Sequence, residues 1–104
     1  MYYRLYTGKD NKSHMEEFNP PNNMPATSVM FRNQPLGTFI DWHAAPRKQF
    51  LVTLEGEVEI GTGDGILHIL GPGDMMLAED ITGQGHTTRV IGNKDRISIA
   101  IPVE

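Results

Sequence analysis

The chain has no cysteine. That excludes disulfides and thiolate metal sites, and leaves histidine, carboxylate and amide oxygen as the side chains able to hold a metal. It also lacks an apolar run of roughly eighteen residues and a basic-then-apolar leader, so neither a membrane span nor a secretion signal is expected. A cytoplasmic location is the expectation that follows. Lysine and arginine are scattered and the net charge is −4. Proteins that grip a phosphate backbone carry a basic stripe, so nucleic acid is not an expected partner. Long helical periodicity and internal repeats are missing too. What is plentiful is glycine and proline, 11 and 7 of 104 residues, which suits many short strands joined by turns.

Strand-like segments recur at residues 2–6, 26–32, 37–43, 49–54, 57–60, 66–70, 75–78, 86–91 and 96–103, separated by Gly-, Pro-, Asn- and Asp-rich turns. Glu55-Gly56 and the stretch from Gly92 to Asp95 read as hairpin turns. Ser13 with Glu16 has the spacing of a helix capping box, so a short helical turn is expected there. The pattern predicts one all-β domain, an antiparallel sandwich or jelly roll, over residues 1–104. Residues 1–25 read as an N-terminal strand and loop arm, and residues 26–104 as the barrel.

Period-two alternation assigns faces. Phe39, Asp41 and His43 share one side, with Thr38, Ile40 and Trp42 opposite. Gln49, Leu51 and Thr53 oppose Phe50, Val52 and Leu54. Ile97, Ile99, Ile101 and Val103 oppose Arg96, Ser98, Ala100 and Pro102. The Phe50, Val52 and Leu54 stripe is too apolar for a free surface, so it is expected to pack on a second sheet or a second copy of the chain.

One stretch has a more specific spacing: Gly37, five residues, His43, one residue, Ala45, three residues, Gln49, six residues, Gly56. It resembles the first motif of the cupin superfamily, G-x5-H-x-H-x(3,4)-E-x6-G, with alanine for the second histidine and glutamine for the glutamate. The second cupin motif, G-x5-P-x-G-x2-H-x3-N, is echoed by Gly73, Glu79 in place of proline, Gly83 and His86 after two extra residues, and Val90 in place of asparagine. The Gly71-Pro72-Gly73-Asp74 turn is the usual entry to that motif. The resemblance spans residues 37–90 and implies a small single-domain RmlC-like cupin, an all-β antiparallel jelly-roll barrel. That fold hosts many chemistries, so it names no reaction.

Carried over by position, the resemblance implies metal ligands at His43, Gln49 and His86, with no ligand at Ala45. A divalent metal (Fe, Mn, Ni or Zn) is one expectation, and no organic cofactor is expected. Asp41 is placed by alternation beside His43. It can serve as the missing carboxylate, or orient an imidazole as part of an acid/base set of His43, His86 and Asp41; the alternative is an Asp bonded to loop backbone. Glu79 and Asp80 are a second source of a carboxylate. Arg47, with Lys48 beside it, is a candidate for an anionic substrate group, and Gln49 and Glu79 are further substrate-binding candidates. Three functional readings stay open: an enzyme acting on a small organic molecule with a weakly held metal or by metal-free acid/base chemistry, a non-catalytic ligand-binding or regulatory cupin, and a dimeric scaffold. A homodimer is expected in each.

Overall fold

The computed structural model describes residues 1–103. Ten strands form two sheets and no α-helix occurs among the described residues: β1 Tyr2–Thr7, β2 Ser13–Glu17, β3 Met30–Gln34, β4 Phe39–His43, β5 Gln49–Glu55, β6 Glu57–Gly61, β7 Leu67–Leu70, β8 Met75–Ala78, β9 His86–Ile91 and β10 Arg96–Pro102. One sheet has the order β2-β1-β8-β5-β10-β3 and the other the order β4-β9-β6-β7. Nine of these segments follow the sequence alternation, with the third beginning at Met30 after an isolated bridge from Ala26 to Val103. The jelly-roll expectation holds, with one departure from antiparallel pairing: β1 lies parallel to β8, Tyr2 beside Met75 through Leu5 beside Ala78.

Three local expectations are corrected. The Ser13–Glu16 capping-box spacing lies in β2, not in a helical turn, because Thr7 pairs with Ser13 and Tyr3 with Glu17 along the whole strand; sheet pairing overrides a four-residue pattern. Glu55-Gly56 and the Gly92–Asp95 stretch are not hairpins. β5 and β10 belong to the larger sheet and β6 and β9 to the smaller, so both turns carry the chain across the sandwich. The two crossings touch: Gly56 has φ +77°, and a β-carbon there would press on the Asp95 carbonyl. Residues 2–17, expected as part of an arm, supply two strands of the larger sheet.

The core between the sheets contains Leu5, Val58, Ile60, Leu70, Met76 and Ala78, with Ala45 joining from the β4–β5 loop. On β10 the usual polarity is reversed. Arg96, Ser98, Ala100 and Pro102 are buried, while Ile97, Ile99 and Ile101 are half-buried on the outer side. The small and polar stripe therefore faces inward and leaves room between the sheets.

β2 is tied to the rest by polar contacts as well as strand pairing. Ser13, fully buried, donates its hydroxyl to the Gly85 carbonyl at 2.7 Å and accepts from the Gly63 N–H at 2.8 Å. His14 stands between two acids, with Nε2 2.9 Å from Asp10 and Nδ1 3.3 Å from Asp64. The hydrogen bond to Asp10 raises the imidazole above its usual 6.5 against some desolvation, aided by the charges of Asp10 and Asp64. The bond from His14 lowers Asp10. Burial pushes Asp64 up, but the Thr62 hydroxyl, the Ile66 N–H and His14 outweigh it and leave it lowered.

The raised imidazole stabilises the folded state fully below pH 6.5 and loses that contribution as pH rises through its folded value. The lowered acids act above pH 3.8 and lose theirs as pH falls through their folded values. Melting scans across pH are therefore expected to show the largest deficit for His14→Gln between about pH 4 and 6.5, shrinking toward pH 8.5. A deficit independent of pH would remove the charged imidazole from this account.

Candidate functional site

His43 reaches the interior through a defect in β4. Ile40 pairs with Thr88 and His43 with His86, so three steps on β4 match two on β9. An extra residue in one strand is a β-bulge, and it inverts the alternation beyond it. Asp41 seals the bulge: its Oδ1 accepts from the Trp42 N–H at 2.8 Å, and its carbonyl oxygen accepts from His43 Nδ1 at 2.8 Å. The expectation that Asp41 points inward beside His43 is therefore corrected. Asp41 is exposed, and Ile40 lines the cavity together with His43. Asp41 touches the imidazole through its backbone only. Trp42 is also exposed.

His86, the first residue of β9, is nearly fully buried, and its ring centroid lies 4.4 Å from that of His43. Its Nδ1 is 2.5 Å from Oδ2 of Asp80, which has no solvent exposure. The orienting carboxylate sought at Asp41 is thus Asp80, six residues before the histidine in the β8–β9 loop. The sequence offered Asp80, with Glu79, as a second source of a carboxylate, and of the two it is Asp80 that meets the imidazole. Asp80 is fastened in turn, since its carbonyl accepts from Ala45 N–H at 2.9 Å and the neighbouring Glu79 N–H reaches the Leu5 carbonyl at 2.7 Å. The other end of the loop is equally constrained: Gly85 has φ +80°, and a β-carbon there would overlap the His43 carbonyl. Only glycine lets the backbone approach so closely.

A carbonyl oxygen can only accept, so His43 carries its proton on Nδ1. The carboxylate of Asp80 likewise takes the Nδ1 side of His86. With Nδ1 so engaged, each ring directs Nε2 to other partners, and Nε2 is the nitrogen that takes or gives a proton or binds a metal.

Between the sheets is a cavity of about 60 Å³, lined by His43, His86, Gln49, Ala45, Thr88 and Arg96 among others. By volume it holds about four to six water-sized positions. Of the sequence candidates it gathers His43, His86 and Gln49. Asp41, Arg47 and Glu79 are not among its lining residues. Arg47 is exposed. Glu79 instead accepts from Arg4 at 2.8 Å and faces Lys48 at 3.7 Å. No carboxylate lines the cavity, whereas two arginines, Arg32 and Arg96, do.

Arg96 was missed as a site residue. Alternation put it on one face of its strand, but the apolar isoleucines opposite it made either face eligible for the interior. Its guanidinium is bonded to Thr53 Oγ1 at 3.1 and 3.3 Å and to Gln34 Oε1 at 2.9 Å, all neutral acceptors. Burial, and then the charge of Arg32, lowers it to about 10, so it remains a cation at neutral pH.

The cupin-like spacing implies a metal, and the residues here are a weak set for one. No group of three or more histidine or acidic side chains with metal-binding geometry occurs among the described residues. His43, His86 and Gln49 offer three neutral donors, and the guanidinium groups on the same wall repel a dication. One feature favours an occupant of some kind: Gln49 Oε1 is buried with no hydrogen-bond partner.

The two imidazoles are expected to differ in structural weight. His86→Ala strands a buried carboxyl and should cost about 3–5 kcal/mol in denaturant unfolding. His43→Ala, half-exposed and bonded to backbone, should cost about 1 kcal/mol or less. Equal losses would mean that the Asp80 contact is not a buried pair.

No protein-family model matches the chain, and no curated protein matches it. Solved structures do. An uncharacterized conserved protein with a double-stranded β-helix domain from Klebsiella pneumoniae is 24% identical, with TM-score 0.58 over 82% of this chain and 81% of its own. A Neisseria meningitidis protein is 16% identical, with TM-score 0.56 over 84% and 89%. An RmlC-like cupin protein from Desulfovibrio desulfuricans is 16% identical, with TM-score 0.52 over 96% and 79%. At these identities the likeness is one of fold, and the fold is the double-stranded β-helix of the RmlC-like cupins.

Proposed function

We propose that this cupin-fold chain binds a small organic molecule between its sheets and moves a proton on it with His43 and His86. The observation that carries the reading is the buried Asp80–His86 hydrogen bond beside the His43 ring. A carboxylate behind an imidazole orients the ring and stabilises the imidazolium formed when Nε2 takes a proton. His86 can return that proton to a neighbouring atom from Nε2, or pass it to the bare Nε2 of the adjacent His43, which then delivers it. Such a pair suits proton transfer at carbon beside a carbonyl, as in isomerisation, epimerisation or dehydration. The alternatives are ligand binding without turnover and a divalent metal held by His43, His86 and Gln49. The metal alternative is favoured by the unpartnered Gln49 oxygen, and water or the ligand would complete its shell.

The test is proton–deuterium exchange at carbon, followed by NMR, for a panel of small ketones and oxo acids with chelator-treated protein. Exchange by the wild type, lost in His43→Gln and His86→Gln, is the expected result. Exchange that persists in both variants would overturn the reading. Binding without any exchange would leave the non-catalytic alternative, and exchange that appears only on adding iron, manganese, nickel or zinc would favour the metal.

The proposed macromolecular partner is a second copy of the chain. β3 is an edge strand of the larger sheet, and its Phe31 is 76% exposed. Phe31 pairs with Ile99, which pairs with Val52, forming an apolar row across the outer face. An exposed edge of this kind is a template for pairing. Light scattering after size exclusion is expected to give a dimer for the wild type and a monomer for Phe31→Glu. A monomeric wild type at the same concentration would end this proposal.

A further inference from the structure

We infer that Arg96 and Arg32 form the anion-recognition end of the cavity, and that the ligand is a small carboxylate whose charged group sits on the Arg96 guanidinium. The inference rests on the reading above only in taking this cavity as the ligand site.

Arg96 is 5% exposed, and no carboxylate pairs with it among the described residues. A buried charge without a counter-charge destabilises the fold. A second cation, Arg32, lines the same cavity and adds repulsion. Neither feature serves the folded protein by itself, and an anion in the cavity would offset both.

The donor count points to a carboxylate. A guanidinium has about five N–H donors. Thr53 and Gln34 take one each from Nε, Nη1 and Nη2. One N–H on each terminal nitrogen is left over, which matches the two oxygens of a carboxylate in the forked arrangement Arg prefers. The acceptors that hold the group in place are neutral, so its charge is not spent within the protein. The cavity admits a ligand of about four to six non-hydrogen atoms, and its lining includes His43 and His86 as well as the arginines. A short oxo acid fits this description, with its carboxylate on Arg96 and its remaining carbons toward the imidazoles. Arg47, the anion partner suggested by the sequence, is replaced in this role.

The experiment is calorimetric titration of metal-free protein with pyruvate and, as its neutral counterpart, pyruvamide. Pyruvate is expected to bind and pyruvamide not to. Arg96→Met should weaken pyruvate binding about tenfold to a hundredfold, while the ligand-free variant melts at the same temperature as wild type or higher. Arg96→Lys keeps the charge but loses the fork, and is expected to weaken binding about tenfold; it serves if the methionine variant does not fold. Equal binding of pyruvamide, unchanged affinity in either Arg96 variant, or a lower melting temperature for folded Arg96→Met would overturn the assignment. Pyruvate binding without carbon-bound exchange would leave the anion site standing and remove only proton transfer.

Discussion

The hydrogen bond between Asp80 and His86 organises much of this molecule. A carboxyl group with no exposure is tolerated only where its polar atoms find partners, and Asp80 finds one in the imidazole of the neighbouring sheet. That bond draws the β8–β9 loop down between the layers. The loop then supplies the Asp80 carbonyl to Ala45, takes the Leu5 carbonyl through Glu79 and presents the Gly85 carbonyl to Ser13. The larger sheet, the smaller sheet and β2 meet at this one loop. The remaining Asp80 oxygen has no partner, so the arrangement is not one that packing alone would select.

A second conflict with packing lies on β10. A strand with isoleucine at three alternate positions could have turned them inward and closed the space between the sheets. It turns arginine, serine, alanine and proline inward instead. The result is a cavity with imidazoles and guanidinium groups on its walls, and an outer sheet face that is more apolar than water favours. Departures from local consistency tend to concentrate at functional sites, and here a buried carboxyl, an unpaired cation and an unpartnered amide oxygen occur together. The reversed strand therefore links an interior that can receive a ligand to an exterior suited to burial against another surface.

Much of the fold was legible in the sequence. Turn residues located nearly all of the strands, and alternation within β5 and β10 separated the correct face pairs. The cupin spacing identified His43, Gln49 and His86, which do share the cavity. What failed has identifiable physical causes. Turn composition marks a reversal but not whether the chain pairs with the strand it leaves or crosses to the other sheet, so two crossings read as hairpins. Ser13–Glu16 looked like a capping box because local spacing carries no information about β1 lying beside it. Asp80 and Arg96 were not assigned their roles because a loop residue has no periodicity and because β10 offered two faces that were each acceptable inside.

The bulge in β4 acts on the strand as a frameshift acts on a message. Downstream of it, the register of inside and outside is reset, so neighbouring positions are answerable to different demands. Ile40 and His43 belong to the chamber, and Asp41 and Trp42, between them, belong to the surface. Variation at Trp42 can alter solubility or contacts with other molecules while the chamber stays as it was, provided Asp41 still seals the bulge and its carbonyl still holds the ring. A single extra residue thus lets recognition outside and chemistry inside evolve on separate schedules within the same short strand.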